Sequence, residues 1–222
     1  MAKGNDGNYF QHSVEIALAT RLAELGDGQL HICVTHGMAP FEVCGHPPNG
    51  QSRKWLHRAL GDSLNFEREA ESIVVSAYRR VDASLDHYPN SVELVASIVG
   101  RDRLNGGVTE INPFKYSCLR SSWNGTAVNL MNESWRHHAR RGGVLWCPAD
   151  LSRPWLFSMD PMSYVDHGSE DDDKLYRSDA GSVASTLRGF VESGMPGAAT
   201  LFVYAVRPKY RNRFLLGVSS RG

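Results

Sequence analysis

Two acids stand where this chain could do chemistry, each at the end of a short apolar run. Asp160 follows Trp155-Leu156-Phe157-Ser158-Met159 and precedes Pro161, with Tyr164 three residues after the proline. The run has strand propensity, and the proline breaks the ladder. The segment therefore reads as a buried strand of an open α/β sheet that stops at a ligand crevice. There the Asp160 carboxylate can accept one hydrogen of an exocyclic amine and the Pro161 carbonyl the other. The nitrogen lone pair is left free to attack an electrophilic methyl group, with Tyr164 stacked on the base. Asp-Pro also opens ordinary turns, so a structural cap is the competing reading of Asp160.

Glu110 closes the run Gly107-Val108-Thr109-Glu110-Ile111. In doubly wound folds an acid here projects into the crevice beside the first strand and accepts hydrogen bonds from both ribose hydroxyls of a nucleoside. The loop Thr35-His36-Gly37-Met38-Ala39-Pro40 follows the first strand, where such a sheet holds a nucleotide-like ligand. It lacks the G-x-G spacing that lets bare backbone approach a charged group, which leaves an ordinary turn as its alternative.

The elements that must position these residues alternate. A helix is predicted over 10–25, where Phe10, Val14, Leu18, Leu22 and Leu25 recur at three- and four-residue steps before Gly26. Strands are predicted over 29–35, 107–111, 127–131, 155–159 and 200–206, with a sixth over 213–218. Helices are predicted over 53–60, 66–84, 92–99, 113–122, 133–141 and 180–193. Residues 42–52 read as a Gly/Pro-rich loop, and Tyr88-Pro89-Asn90-Ser91 as a turn in which Asn90 or Ser91 caps the next helix. This alternation implies one α/β domain over 1–222. Its sheet is Rossmann-like, doubly wound and mostly parallel, with helices on both faces and a helical insertion over about 45–90.

Bulk properties narrow the function classes. The 222 residues are 41% hydrophobic and 22% charged, as in ordinary globular proteins. With 24 basic and 24 acidic side chains the formal net charge is zero, which argues against tight, nonspecific nucleic-acid binding without excluding a local patch. Arg207, Lys209, Arg211 and Arg213, interleaved with Tyr210, are such a patch; they could touch a phosphate backbone or form a solvated edge. Cys33, Cys44, Cys118 and Cys147 form no CxxC, so neither a disulfide framework nor a zinc site is expected, and scattered thiols fit a reducing cytoplasm. No apolar run reaches the roughly 18 residues that span a membrane, and the first residues lack a signal peptide's apolar core. His12 and His36 read first as hydrogen-bonded loop histidines. His137-His138 lies in a solvated basic helix, and the acidic run 169–173 reads as a solvated loop.

Taken in order, these segments resemble the RlmJ family, S-adenosylmethionine-dependent methyltransferases that modify adenine N6 in large-subunit ribosomal RNA. Gly4-Asn5 with His12 is similar to the family's opening Gly-Asn followed seven residues later by His. Thr35-His36-Gly37 stands where the family has Thr-His-Ala-Gly-Ala-Gly. Tyr88-Pro89-Asn90-Ser91 is close to Tyr-Pro-Gly-Ser, and Thr109-Glu110-Ile111-Asn112-Pro113 to Thr-Glu-Leu-His-Pro. Asn132-Glu133 falls on Asp-Gly, and Asp160-Pro161 on the start of Asp-Pro-Pro-Tyr. The resemblance implies that His12, His36, Ser91, Glu110 and Asn132 surround the cofactor, with Glu110 on the ribose and Asn132 near the adenine. It implies that Asp160, with Pro161 and Tyr164, serves the acceptor amine. The chain departs from the family in its Gly37-Met38-Ala39-Pro40 loop and in the residue inserted before Tyr164. It also stops soon after the fifth strand, where family members continue into a final antiparallel hairpin. These departures suit a second reading, a methyltransferase-like fold kept as a binding or partner module. A third reading keeps the cofactor but methylates a small molecule or protein.

Overall fold

A computed structural model of the chain describes residues 6–42, 73–83, 87–142, 152–159, 163–165 and 174–176, six positions between 179 and 189, and 192–206 and 211–220. Helix α1 (Asp6–Leu25) leads into β1 (Leu30–Val34). A two-residue strand β2 (Phe41–Glu42) pairs antiparallel with β3 (Tyr88–Pro89), and α2 (Ile73–Arg80) lies between them in sequence. Helix α3 (Ser91–Val99) and a 3-10 turn (Arg101–Arg103) precede β4 (Leu104–Thr109). Helix α4 (Pro113–Trp123), β5 (Ala127–Met131), α5 (Trp135–Gly142) and β6 (Trp155–Met159) follow. The chain continues through β7 (Ser163–Val165), β8 (Lys174–Tyr176), β9 (Gly197–Val206) and β10 (Arg211–Ser220).

The main sheet runs β5-β4-β1-β6-β9-β7-β8, all parallel, and β10 joins β9 antiparallel. This is an α/β Rossmann-like architecture. From β1 the chain builds outward through β4 to β5, then returns to the other side of β1 to lay down β6 and β9. The strand order therefore reverses between β1 and β6, the place where open α/β sheets hold ligands outside the strands' carboxyl ends.

Alternation along the strands decides which side chains meet which layer. Leu30, Ile32 and Val34 of β1, Leu104 and Val108 of β4, Val128 of β5 and Leu156 of β6 share one core with Ala19 and Leu22 of α1, Val92, Val95 and Val99 of α3, and Leu119 and Trp123 of α4. The opposite parity places Cys33, Trp155, Phe157 and Met159 on the other face, all fully buried. The burial of Cys33 pushes its thiol pKa well up, so it stays a packed thiol.

The strand predicted over 107–111 is displaced. It begins at Leu104 and ends at Thr109, leaving Glu110 just beyond it. Asn105 and Gly106 carry no strand signal in the sequence, yet Gly106 is required there. It sits at φ 121°, and an added Cβ would fall 1.9 Å from the Ile32 carbonyl oxygen of β1. The fifth predicted strand likewise starts earlier, at Gly197, where Leu22 and Leu25 leave little room for a side chain. Tyr88–Pro89 is a strand rather than part of a turn.

Of the expected insertion, α2 packs Val74, Val75, Ala77 and Tyr78 against Ile16 of α1 and Leu94 of α3. The helix predicted over 53–60 and the start of that over 66–84 lie outside the described residues. Contrary to the reading that the chain stops short of an antiparallel hairpin, β9 and β10 form one, whose ten pairs run unbroken from Gly197–Ser220 to Val206–Arg211. Because β10 covers one whole edge of β9, β6 and β7 share the other.

Candidate functional site

The carboxyl ends of β5, β4 and β1 meet in a continuous set of hydrogen bonds. The Thr35 N–H donates to the Ser158 carbonyl (3.1 Å), Gly37 N–H to the Thr109 carbonyl (2.8 Å) and Glu110 N–H to the Met131 carbonyl (3.0 Å). The Thr109 hydroxyl adds a 2.9 Å bond to the Thr35 carbonyl. The loop after β1 is thus stitched to both neighbouring strands. Gly37 permits this approach, since a Cβ would stand 2.6 Å from Val108 Cγ1 and 2.9 Å from Leu119 Cδ2.

Glu110 lies at the centre of this set and is only 6% exposed. Its Oε2 accepts from the Met38 amide (2.7 Å) and its Oε1 from the Asn112 amide (2.8 Å). Asn112 in turn caps α4, its Oδ1 accepting from Phe114 N (3.0 Å) and Lys115 N (3.1 Å), with Pro113 at the first turn. A carboxylate has about four lone-pair sites, so acceptor capacity remains for a further donor.

Asn132, beyond the end of β5, points its Nδ2 at the Glu110 carbonyl (2.7 Å) and the Ile111 carbonyl (3.2 Å). Two carbonyl acceptors fix the amide orientation, which leaves Oδ1 as the acceptor on the exposed side. In the segment that follows Glu110, Ile111 is 60% and Phe114 75% exposed, large apolar side chains left uncovered. A buried acid, an outward amide oxygen and exposed apolar side chains can together hold a sugar hydroxyl pair and a planar base bearing an amine.

Asn90 ties this region to the insertion. Its Oδ1 caps α3 by accepting from Glu93 N (2.8 Å), its Nδ2 donates to the Gly37 carbonyl (2.7 Å), and its own N–H donates to the Pro40 carbonyl (3.0 Å). Asn90, not Ser91, is therefore both the cap and the contact to the loop; Ser91 is the first helical residue.

His12 is a helix residue in α1, not a loop histidine, and it is buried. Its Nδ1 bonds Tyr78 Oη and reaches Tyr88 Oη at 3.5 Å, and the two phenols are 2.9 Å apart. Burial lowers its pKa to about 3, so the ring is neutral and structural at physiological pH. Its link to the site runs through Tyr88, two residues before Asn90. His36 stands in the loop itself, with Nδ1 2.6 Å from the Thr35 hydroxyl.

The helix read as a solvated basic face is only partly so. Trp135 and Arg136 of α5 are buried, and Arg136 pairs with Asp179 at 2.9 Å. His138 bonds Glu133 Oε1 at 2.7 Å, and partial burial lowers its pKa. No cluster of three or more potential metal ligands occurs among the described residues.

The structure thus brings together Glu110, Asn132 and His36, joins Ser91 and His12 to them through Asn90 and Tyr88, and places the end of β6 two strands from that of β4, about 10 Å by the usual strand spacing. Asp160, Pro161, the acidic run 169–173, Arg207 and Lys209 lie outside the described residues. Tyr164 is in β7, and Arg211 and Arg213 are in β10. Sequence reasoning missed the Met38 amide and the double role of Asn90; the Asn at the predicted cap was the only available signal for either.

No helix among the described residues is long and apolar enough to cross a membrane. No family model and no curated protein matches the chain. Among solved structures it is similar to protein LPL1258 from Legionella pneumophila, of family model DUF519. The TM-score is 0.60 at 16% identity, over 92% of this chain and 70% of that one, a likeness of fold.

Proposed function

We propose that the chain is an S-adenosylmethionine-dependent methyltransferase acting on an exocyclic amine of a nucleic-acid base, adenine N6 of RNA. The observation that carries this reading is the convergence of Glu110, Asn132 and the Thr35–Pro40 loop at the ends of adjacent parallel strands, beside the reversal of strand order. In this reading Glu110 accepts from the ribose hydroxyls and Asn132 Oδ1 from the adenine amine, with Ile111 against the ring. Bound S-adenosylmethionine supplies an electrophilic methyl group. Asp160 and the Pro161 carbonyl hold the two hydrogens of the acceptor amine, so that its lone pair faces that methyl, and Tyr164 stacks on the acceptor base. Catalysis then comes from positioning and from polarising the amine. A base within a duplex must first be flipped out. Arg207, Lys209, Arg211 and Arg213 would meet the phosphate backbone.

A second reading is a nucleoside-binding or partner module without turnover. It is favoured by the burial of Glu110 and the engagement of both its oxygens by backbone amides. Calorimetry with S-adenosylmethionine and S-adenosylhomocysteine decides between cofactor binding and none; absence of heat with both removes the enzyme. If both bind, transfer of a labelled methyl group to RNA should be abolished by Asp160→Ala with cofactor affinity kept. Persistent turnover would refute the amine clamp.

A further inference from the structure

The positive-φ residue of the site is a methionine. Met38 sits at φ 57°, in the left-handed region that a side chain of this kind seldom enters. Asp27 and Asp82 share such angles, but aspartate tolerates them in turns. The residues on either side are held: Gly37 by the Thr109 carbonyl, by Asn90 Nδ2 and by the lack of room for a Cβ, Pro40 by the Asn90 amide. Strain and restraint therefore meet at one residue, whose N–H donates 2.7 Å to Glu110 Oε2. Its thioether also faces Lys115 Nζ, at 3.6 Å.

We propose that the Met38 amide is an internal competitor for Glu110, and that a ligand carrying a vicinal diol opens the site by taking Oε2 from it. The inference rests on the nucleoside reading of Glu110. The closed loop is held by a charge-assisted bond and opposed by the left-handed backbone, two terms of similar size, so neither closing nor opening is strongly favoured. Unusual backbone angles of this kind cluster at ligand clamps and switch regions. Met38 is thus a positioning residue that sets how much of the ligand's binding energy is spent on opening.

The test compares wild type with Met38→Gly by calorimetry against S-adenosylhomocysteine and adenosine, and follows amide hydrogen exchange in the loop. Glycine removes the left-handed penalty from the closed state alone, so Met38→Gly should bind about five- to thirty-fold more weakly. In the wild type the Met38 amide should be protected when free and lose protection on binding. Equal or tighter binding by Met38→Gly would show that the side chain merely obstructs the slot and would overturn the proposal. So would retained protection of Met38 in the complex. If neither protein binds either ligand, the nucleoside reading itself falls, a result distinct from binding in the wrong order.

Discussion

Replacing His12 by glutamine isolates a histidine whose burial should be visible in the pH dependence of stability. The folded pKa is lowered to about 3 by desolvation, against an ordinary value of 6.5. A group depressed in this way stays neutral in the folded chain while the unfolded chain takes up its proton. Stability is therefore full above pH 6.5 and lost as the pH falls from there toward 3, at up to about 1.4 kcal/mol per unit. By pH 5 the loss from this group alone reaches about 2 kcal/mol. His12→Gln keeps a polar partner for Tyr78 and Tyr88 but cannot titrate. At pH 7 it should be less stable than wild type by about 1 kcal/mol, the net value of a buried hydrogen bond. Urea denaturation at constant ionic strength, from pH 7 down to 4.5, should show this gap closing and then reversing near pH 6 to 5, with unchanged m-values. A gap that stays constant over the range would mean that His12 is hydrated or charged in the folded chain, and the buried His–Tyr–Tyr arrangement would be refuted.

Other substitutions probe the scaffold under the site. Gly106→Ala should cost more than about 3 kcal/mol, because its Cβ would meet backbone rather than a movable side chain, and a thermal melt would report it. Glu93→Ala should lose about 2–3 kcal/mol, since it strips the acceptor from buried Trp123 Nε1 (2.7 Å) as well as from Ser122. Arg101→Ala, which removes the 42%-exposed partner of the same carboxylate, should cost about 1 kcal/mol or less; equal losses from the two would refute this division. Glu110→Ala should destabilise the free protein by about 1–2 kcal/mol, chiefly by orphaning the Asn112 amide, since loss of the Met38 bond is offset by release of its left-handed backbone; urea denaturation without ligand would measure it.

Two strands were legible from the chain alone: 127–131 and 155–159 fall at the expected bounds, each a mainly apolar run with a single polar residue, Asn129 and Ser158. The start of β4 was not, because Asn105-Gly106 reads as a turn until the carbonyl of Ile32 is placed against it. The helix at 135–142 was placed correctly, but its buried side was hidden, since Arg136 reads as a solvated charge unless Asp179 is seen beside it. Within the site, Glu110 was singled out by its place near the end of a predicted strand, and Asn132 only by the family resemblance. The partner of Glu110 was not, because a left-handed methionine leaves no compositional trace. The helical setting of His12 was legible in the periodicity over 10–25, but its burial was not, because its partners lie 66 and 76 positions away in the chain.

The antiparallel contact of Phe41–Glu42 with Tyr88–Pro89, reinforced by stacking of Phe41 on His87 at 3.7 Å, brings departure and return of a long detour to one spot. By that closure alone, a change in the length of the detour costs little. The stretch from 73 to 90 has no such freedom, because Tyr78 and Tyr88 are bonded to His12 and Asn90 holds the loop beside Glu110. A library selected for foldedness should therefore keep Tyr78, Tyr88 and Asn90 nearly uniform.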